Sequence, residues 1–362
     1  MYVSSSFEGP TVAIAQKAGP KGLPAEGPGV FERFEPLAAA LEERGVSTVV
    51  LDGKADNVPD TPTFKRYYEL TPTRNSDSGL VLRKPEQPIV VHAAYDRTGG
   101  IARFVPEVPA LNPRGIRNLV ASKAEQYAAL TGLGAAMPLS RTVHATESSI
   151  TRAFDELEVP LLILKADKDP DKKIPILVGT KDRLAKDLWK LLVAVGPDAH
   201  ILIQEAMPEV DEPFNHELRF NEREDALVRA AAQRAREIRV HVIDEHIVAA
   251  HGRVGLSGSN REGDAWVFFE QDSLPVCVGN LVLQGTRLLR EQTGEQNSYL
   301  AWDLTPDGTR VVEVNGRAIG TMKPDPRRRG AQEVHTRIKA ALADKLAAMA
   351  RDSLLHQRLA AV

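Results

Sequence analysis

Cysteine is almost missing from this chain of 362 residues, where Cys277 stands alone. A single cysteine excludes an internal disulfide framework and a metal site built from thiolates. Long apolar runs are missing too: none approaches the roughly 20 residues that a membrane-spanning helix needs. The opening stretch, MYVSSSFEGP, has neither the basic nor the apolar region of a secretory signal. Positive charge is not in excess, since the formal net charge is -3 and 26% of residues are charged. The overall balance therefore carries no signature of a nucleic-acid binder. The expectation is a soluble cytoplasmic protein with neither a nucleic acid nor a membrane as partner.

Several familiar catalytic signatures are also absent. There is no Walker loop, no GxGxxG turn, no HExxH and no GxSxG elbow, and GLSGSN (255–260) matches none of them. The nine histidines are scattered.

What is present reads as several α/β units. TVAIA (11–15), VSTVVLD (46–52) and PIVVHAAY (88–95) are strand candidates, and Phe34, Leu37, Ala38 and Leu41 share one helical face. Residues 53–87, rich in Pro, Asp, Ser and Thr, read as a long surface connection. GG (99–100) and NPRG (112–115) mark turns. Ser122 and Glu125 have capping-box spacing ahead of a helix striped by Ala124, Tyr127 and Ala128. Ile150, Ala153, Phe154 and Leu157 mark a second helix. Thr180 opens a third, with Leu184, Leu188, Leu191 and Leu192. PLLILK (160–165) and HILIQEAM (200–207) are strands between them. Residues 208–236 read as an insertion. EIRVHVIDEHIVAAHGR (237–253) and SYLAWDLTPDGTRVVEVN (298–315) are hairpins, with the strand AWVFFE (265–270) between. Val334, Ile338, Leu342, Leu346 and Met349 mark a terminal helix packed on the body, whose Ala-rich exposed side offers a homodimer face.

Glu313 and Asn315 lie two apart on a strand and so point to one side of the sheet. Hairpin pairing brings Asp303 near them. Two carboxylates and an amide oxygen suit Mg²⁺, and a solvated polar strand face is the competing explanation. Lys165 ends an apolar strand, where a buried ammonium calls for an anion. Lys123 sits in a helix's first turn, where an anionic ligand using the free N–H groups would offset an unfavourable dipole. Arg239 shares its strand face with Glu237, and Arg239 and Arg253 bracket their hairpin as clamps for carboxylate or phosphate.

Taken in order, these segments resemble the ATP-grasp superfamily, in particular its carboxylate–amine ligase branch with glutathione synthetase and the ribosomal protein S6 modification enzymes. The resemblance runs over roughly 112–320. It implies α/β architecture with α+β lobes, an ATP-grasp fold preceded by a small α/β N-terminal domain. The implied division is 1–111 for the substrate-side domain, 112–206 and 207–330 for the small and large lobes, and 331–362 for a C-terminal helix. It implies ATP and Mg²⁺, with Mn²⁺ as a substitute. Lys123 and Lys165 are matched to the two ATP lysines, Glu205, Ala206 and Met207 to the adenine hinge, and Glu237 to the ribose acid. Arg239 and Arg253 would act with Lys165 on phosphate or substrate, and Asp303, Glu313 and Asn315 would hold the metal.

The sequence departs from the family after Lys165. ADKDPDKKIPILVG (166–179) has one glycine where a Gly-rich loop is usual, and Lys168, Lys172 and Lys173 offer side-chain charge instead. With VGLSGSNREGD (254–264), this loop is a lid candidate. The implied activity is an ADP-forming ligase joining small-molecule carboxylates and amines, or modifying a peptide, in peptide or natural-product biosynthesis. A kinase or cyclase on a small metabolite, or an impaired nucleotide-binding scaffold, are the alternatives.

Overall fold

A computed structural model of the protein describes residues 9–16, 34–52, 63–64, 67–70, 80–83, 89–96, 107–167, 174–196, 198–206, 235–254, 265–269, 274–305, 308–316 and 331–361. Met207, Lys168, Lys172, Lys173, most of the 208–236 insertion and all but the first residue of 254–264 lie outside these.

The N-terminal unit contains β1 (Thr11–Gln16), α1 (Glu35–Glu42), β2 (Ser47–Asp52), β3 (Thr63–Phe64), β4 (Tyr67–Leu70), β5 (Leu80–Arg83), β6 (Ile89–Val90), β7 (Ala93–Asp96) and β8 (Ala110–Leu111). Its main sheet has the order β5-β4-β2-β1-β7-β8, and β3 pairs with β6 separately. The central strands β2, β1, β7 and β8 run parallel and are packed with Val, Ile, Leu and Ala, as a sheet covered on both faces requires. Two expectations change here. Residues 53–87 hold β3, β4 and β5, because β4 finds a partner in β2 and β5 in β4. The single run 88–95 is divided into β6 and β7.

Next come α2 (Arg114–Ala121), α3 (Lys123–Ala129) and a 3₁₀ segment (Thr131–Ala136). The stretch read as a turn at 112–115 already enters α2, with Pro113 as its N-cap. A four-stranded antiparallel sheet is then built from β9 (Ser140–His144), β10 (Leu162–Ala166), β11 (Leu177–Gly179) and β12 (His200–Glu205), in the order β11-β10-β12-β9. Helices α4 (Glu147–Glu156) and α5 (Lys181–Val195) pack on one face through Ile150, Phe154, Leu184, Leu188 and Leu191.

The third sheet, ordered β15-β14-β13-β16-β17, comprises β13 (Ala235–Ile243), β14 (His246–Val254), β15 (Ala265–Phe269), β16 (Tyr299–Leu304) and β17 (Val311–Asn315). Helix α6 (Val276–Thr293) covers one face, against Val240, Val242, Leu300 and Trp302. Sequence pattern did not reveal α6, because Gly279 and Gly285 interrupt it. Gly285 is needed for packing: a Cβ there would lie 2.3 Å from Cη2 of Trp302. Ile116, Leu119 and Leu130 of the α2–α3 region belong to this same core.

Helix α7 (Ala331–Ala360) lies on the other face. Val334, Ile338, Leu342, Leu346 and Met349 are buried as the spacing predicts. They join Ile14, Leu37 and Leu41 of the N-terminal unit to Ile243, Ala249 and Tyr299 of the third sheet in one cluster. Leu342→Ala should therefore cost about 2–5 kcal/mol of stability. Urea denaturation measures this, and a loss within the roughly 0.5 kcal/mol of a surface site would show that α7 is not a core element.

Candidate active site

The third sheet turns a charged row toward one side. Pairing puts His251 opposite Arg239, Arg239 opposite Asp303, and Asp303 opposite Glu313. All four face the side that α7 covers further along the sheet. The next rung is His241, Ala301 and Asn315. Directly opposed carboxylates repel, so Asp303 and Glu313 need compensation. Arg239 supplies it to Asp303 with a two-pronged contact, Nε to Oδ1 at 2.5 Å and Nη2 to Oδ2 at 2.6 Å. Asn315 Nδ2 donates to both carboxylates, to Asp303 Oδ2 at 2.9 Å and Glu313 Oε1 at 3.0 Å. Glu237 lies 3.5 Å from Arg239 on the same face, as alternation requires.

The three residues matched to the metal are thus brought together. Both carboxylates lie within hydrogen-bond reach of the Asn315 amide nitrogen, so a cation taking that nitrogen's place would meet two hard oxygens, which fits Mg²⁺, and Asn315 would join them through Oδ1 once its amide turned over. Among the described residues no group of three or more His, Cys, Asp and Glu side chains is placed to hold a metal ion; here two carboxylates meet with an amide beside them. Arg239 also occupies both oxygens of Asp303, which the sequence did not anticipate. The two carboxyls differ accordingly. Burial, Glu237 and Glu313 push Asp303 up to about 7 against the pull of Arg239. The two-pronged geometry is that of an ionised pair. Burial opposes ionisation of Glu313 as well. The Asn315 hydrogen bond and the charges of Lys123, Lys165 and Arg239 outweigh it and hold Glu313 below the usual range.

Lys165 lies on β10 with 8% of its surface exposed. Among the described residues its ammonium makes no ion pair, and the Tyr127 ring lies 6.0 Å from Nζ to the centroid. Burial, then Lys123, lower its pKa to about 8. Lys123 is the first residue of α3, as its sequence position implies. The free N–H groups expected there are taken, however. Ser122 Oγ accepts from Glu125 N at 3.2 Å, and Asp167 Oδ1 accepts from Ala124 N at 2.8 Å. An anion at Lys123 would meet the ammonium rather than an open helix end.

Glu205, matched to the hinge by the resemblance, ends β12. Its carboxylate is held by Arg310, Nη1 to Oε1 at 3.0 Å and Nη2 to Oε2 at 2.6 Å, and accepts from Leu139 N at 3.2 Å. The Ala206 N–H donates to Leu161 O at 2.9 Å. The side chain of Arg253 falls outside what is described, although its strand position opposite Glu237 is fixed.

Sequence reading missed four contributors. Arg310 follows the second hairpin's turn and has no local pattern that pairs it with Glu205, 105 residues away. Asp167 lay in a run of charges. His251 alternates with Arg253 and so had a period-two signal. Tyr127 had been assigned to an apolar stripe, yet its hydroxyl donates to Val312 O at 2.7 Å.

No family model matches the sequence, and no curated protein matches it. Solved structures do match. The ATP-grasp ligase PsnB, complexed with a minimal precursor, is similar at 17% identity and a TM-score of 0.55, over 94% of this chain and 99% of that one. A RimK domain ATP-grasp protein from Sphaerobacter thermophilus is similar at 16% identity and a TM-score of 0.54, over 93% and 99%. A RiPP-associated ATP-grasp ligase of Chryseobacterium gregarium, in complex with ADP and a leader and core peptide, is similar at 13% identity and a TM-score of 0.56, over 93% and 96%. At such identities the likeness establishes fold: the chain has the ATP-grasp fold, with a small α/β lobe in front of it.

Proposed function

We propose that the protein is an ADP-forming carboxylate–amine ligase acting on a peptide or on amino acids. One observation carries the reading: charges from three separate elements, Lys123 on α3, Lys165 on β10 and Arg239 on β13, all bear on Glu313 of β17. A buried cation with no ion pair among the described residues, beside a carboxylate cluster, is the arrangement expected where polyphosphate and a divalent metal meet. The fold likeness supports a peptide acceptor, since two of the similar proteins are ligases solved with precursor or leader and core peptides.

In this reading a substrate carboxylate oxygen attacks the γ-phosphorus of ATP. The bond to the β–γ bridging oxygen breaks, and ADP and an acyl phosphate form. An amine nitrogen then attacks the acyl carbon, phosphate leaves with its bonding pair, and the nitrogen's proton passes to solvent. Lys165 and Lys123 counter the phosphate charge, and the Arg239–Asp303 pair keeps the Asp303 oxygens fixed. Mg²⁺, or Mn²⁺ in its place, would be held by Asp303, Glu313 and Asn315 and would neutralise charge on the phosphoryl oxygens. Glu237 is the residue for the ribose, and the Ala206 carbonyl and Met207 are those for the adenine edge. Arg253 is assigned to phosphate or substrate by the resemblance alone. No side-chain nucleophile is required.

The test is ADP release from Mg-ATP with pooled carboxylates, amines and candidate peptides, followed by mass spectrometry. Amine-dependent ADP release, with a product lighter than its two substrates by one water, is the expected result. A stable phosphorylated product formed without amine would make the protein a kinase. Nucleotide binding without turnover on any pool would make it a scaffold.

A further inference from the structure

Helix α3 is tied at two places to the strands that bear the candidate site. Its first turn is fastened to β10. Asp167, two residues beyond Lys165 and buried, accepts from Ala124 N at 2.8 Å and from Ser122 Oγ at 3.1 Å to each oxygen. A carboxylate at a helix N-terminus is favoured by the dipole, whereas Lys123 in that turn is not. The middle of α3 is fastened to β17. Gln126, also buried, donates from Nε2 to Val314 O at 2.7 Å and accepts at Oε1 from Val314 N at 2.9 Å. Its amide pairs with β17 as a residue of a neighbouring strand would. Tyr127 Oη donates to Val312 O at 2.7 Å. Val314 lies between Glu313 and Asn315, so these bonds fix the backbone from which both side chains project.

We infer that Asp167 and Gln126 are positioning residues that set the two halves of the site separately. Asp167 fixes the lysines relative to each other, and Gln126 fixes the carboxylate–amide cluster. This rests on the ligase reading insofar as that reading requires nucleotide and Mg²⁺ to bind. Neither residue touches the reacting atoms. Charge alone gives the opposite sign for Asp167: removing a carboxylate near two lysines would tighten the binding of an anion. A positional role weakens it. A merely structural role would lower the melting temperature of either variant without separating nucleotide from metal.

The experiment is calorimetric titration of ADP into the full chain, first with EDTA and then across a Mg²⁺ series. The proteins are wild type, Asp167→Asn, Ser122→Ala and Gln126→Leu. Asp167→Asn and Ser122→Ala should each weaken metal-free ADP by about three- to tenfold, the size expected for loss of a helix cap. Gln126→Leu should leave metal-free ADP within about twofold and raise the Mg²⁺ concentration for half-maximal effect about tenfold, as loss of support behind a metal ligand does. If Gln126→Leu does not fold, Tyr127→Phe removes one β17 bond, keeps the ring beside Lys165, and should show the same Mg²⁺ shift in smaller degree. Unchanged or tighter metal-free ADP in both cap variants overturns the assignment of Asp167. An unchanged Mg²⁺ response in the folded β17 variant overturns that of Gln126. Absence of ADP binding by the wild type is a different failure, which overturns the nucleotide reading and this inference with it.

Discussion

Glu313→Gln should fold like the wild type and lose Mg²⁺-dependent ADP formation by about 100-fold or more, the scale of removing a group that stabilises developing charge. The substitution keeps size and the contact with Asn315 but removes the charge at the point where Lys123, Lys165 and Arg239 converge. Asn315→Asp should be milder for metal binding, because an oxygen ligand survives, although it adds negative charge beside the phosphates. Asp303→Asn should resemble Glu313→Gln in turnover and should also destabilise the fold. It leaves Arg239 with only the more distant Glu237, so the loss should fall below the roughly 3–5 kcal/mol of breaking a fully buried pair. Initial rates of ADP formation against Mg²⁺ concentration, on variants whose folding is checked by circular dichroism, decide the matter. Near wild-type rates for Glu313→Gln and Asp303→Asn at limiting Mg²⁺ would reduce the cluster to a polar strand face.

Lys165→Met should make the protein more stable and nearly unable to bind nucleotide. Lys165 has a pKa of about 8 in the folded chain, against 10.5 ordinarily. Between those values the unfolded chain holds more protons than the folded one, so stability rises with pH across that window. Below pH 8 the full cost of burying the ammonium is present, on the order of 3 kcal/mol. Methionine fills a similar volume without a charge. At pH 7 its melting temperature should exceed that of wild type, and the difference should shrink as pH rises toward 10. Nucleotide affinity should move the other way, by about 100-fold, because a charge-assisted contact with phosphate is lost. In the wild type, ADP affinity should fall as pH rises past 8, where a surface lysine would still be charged. Thermal melts and calorimetry across pH 6.5–9.5 test both arms. A Lys165→Met protein that is less stable at pH 7 and binds ADP as wild type does would contradict the assignment.

The periodic elements were legible in the sequence: α1, α4, α5, α7, the two hairpins of the third sheet and the strands carrying Lys165 and Glu205. Each has an apolar face whose spacing is local information. The pairing of Glu313 with Asn315 was legible for the same reason, since alternation is a property of one strand. What escaped depended on partners distant in the chain. Strands β4 and β5, YYEL and LVLR, are short β-forming runs set in a stretch rich in Pro, Asp, Ser and Thr, and they become strands by pairing with β2 and each other. Helix α6 carries a glycine only because Trp302 needs the space. Arg239 was read as a clamp for substrate, and its capture by Asp303 follows from the register of β13 against β16. Asp167 at the head of α3 and Arg310 on Glu205 are likewise contacts across more than 40 residues. No window of sequence contains both members.

The side-chain bonds along β17 have a consequence for association. β17 is the last strand of its sheet. An open edge of that kind offers alternating donors and acceptors to any extended chain that comes near, which invites fibrous self-pairing. Here Val312 O and both backbone groups of Val314 are occupied by Tyr127 and Gln126, and Asn112 Nδ2 donates to Gly316 O at 2.7 Å. The border is sealed by amide and phenol groups rather than by charge or proline. A peptide recognised by strand addition would find no template on this side of the sheet, and Gln126→Leu would reopen one. Slow growth of thioflavin-positive aggregates by that variant, at concentrations where the wild type stays clear, would be the visible trace of an unsealed edge.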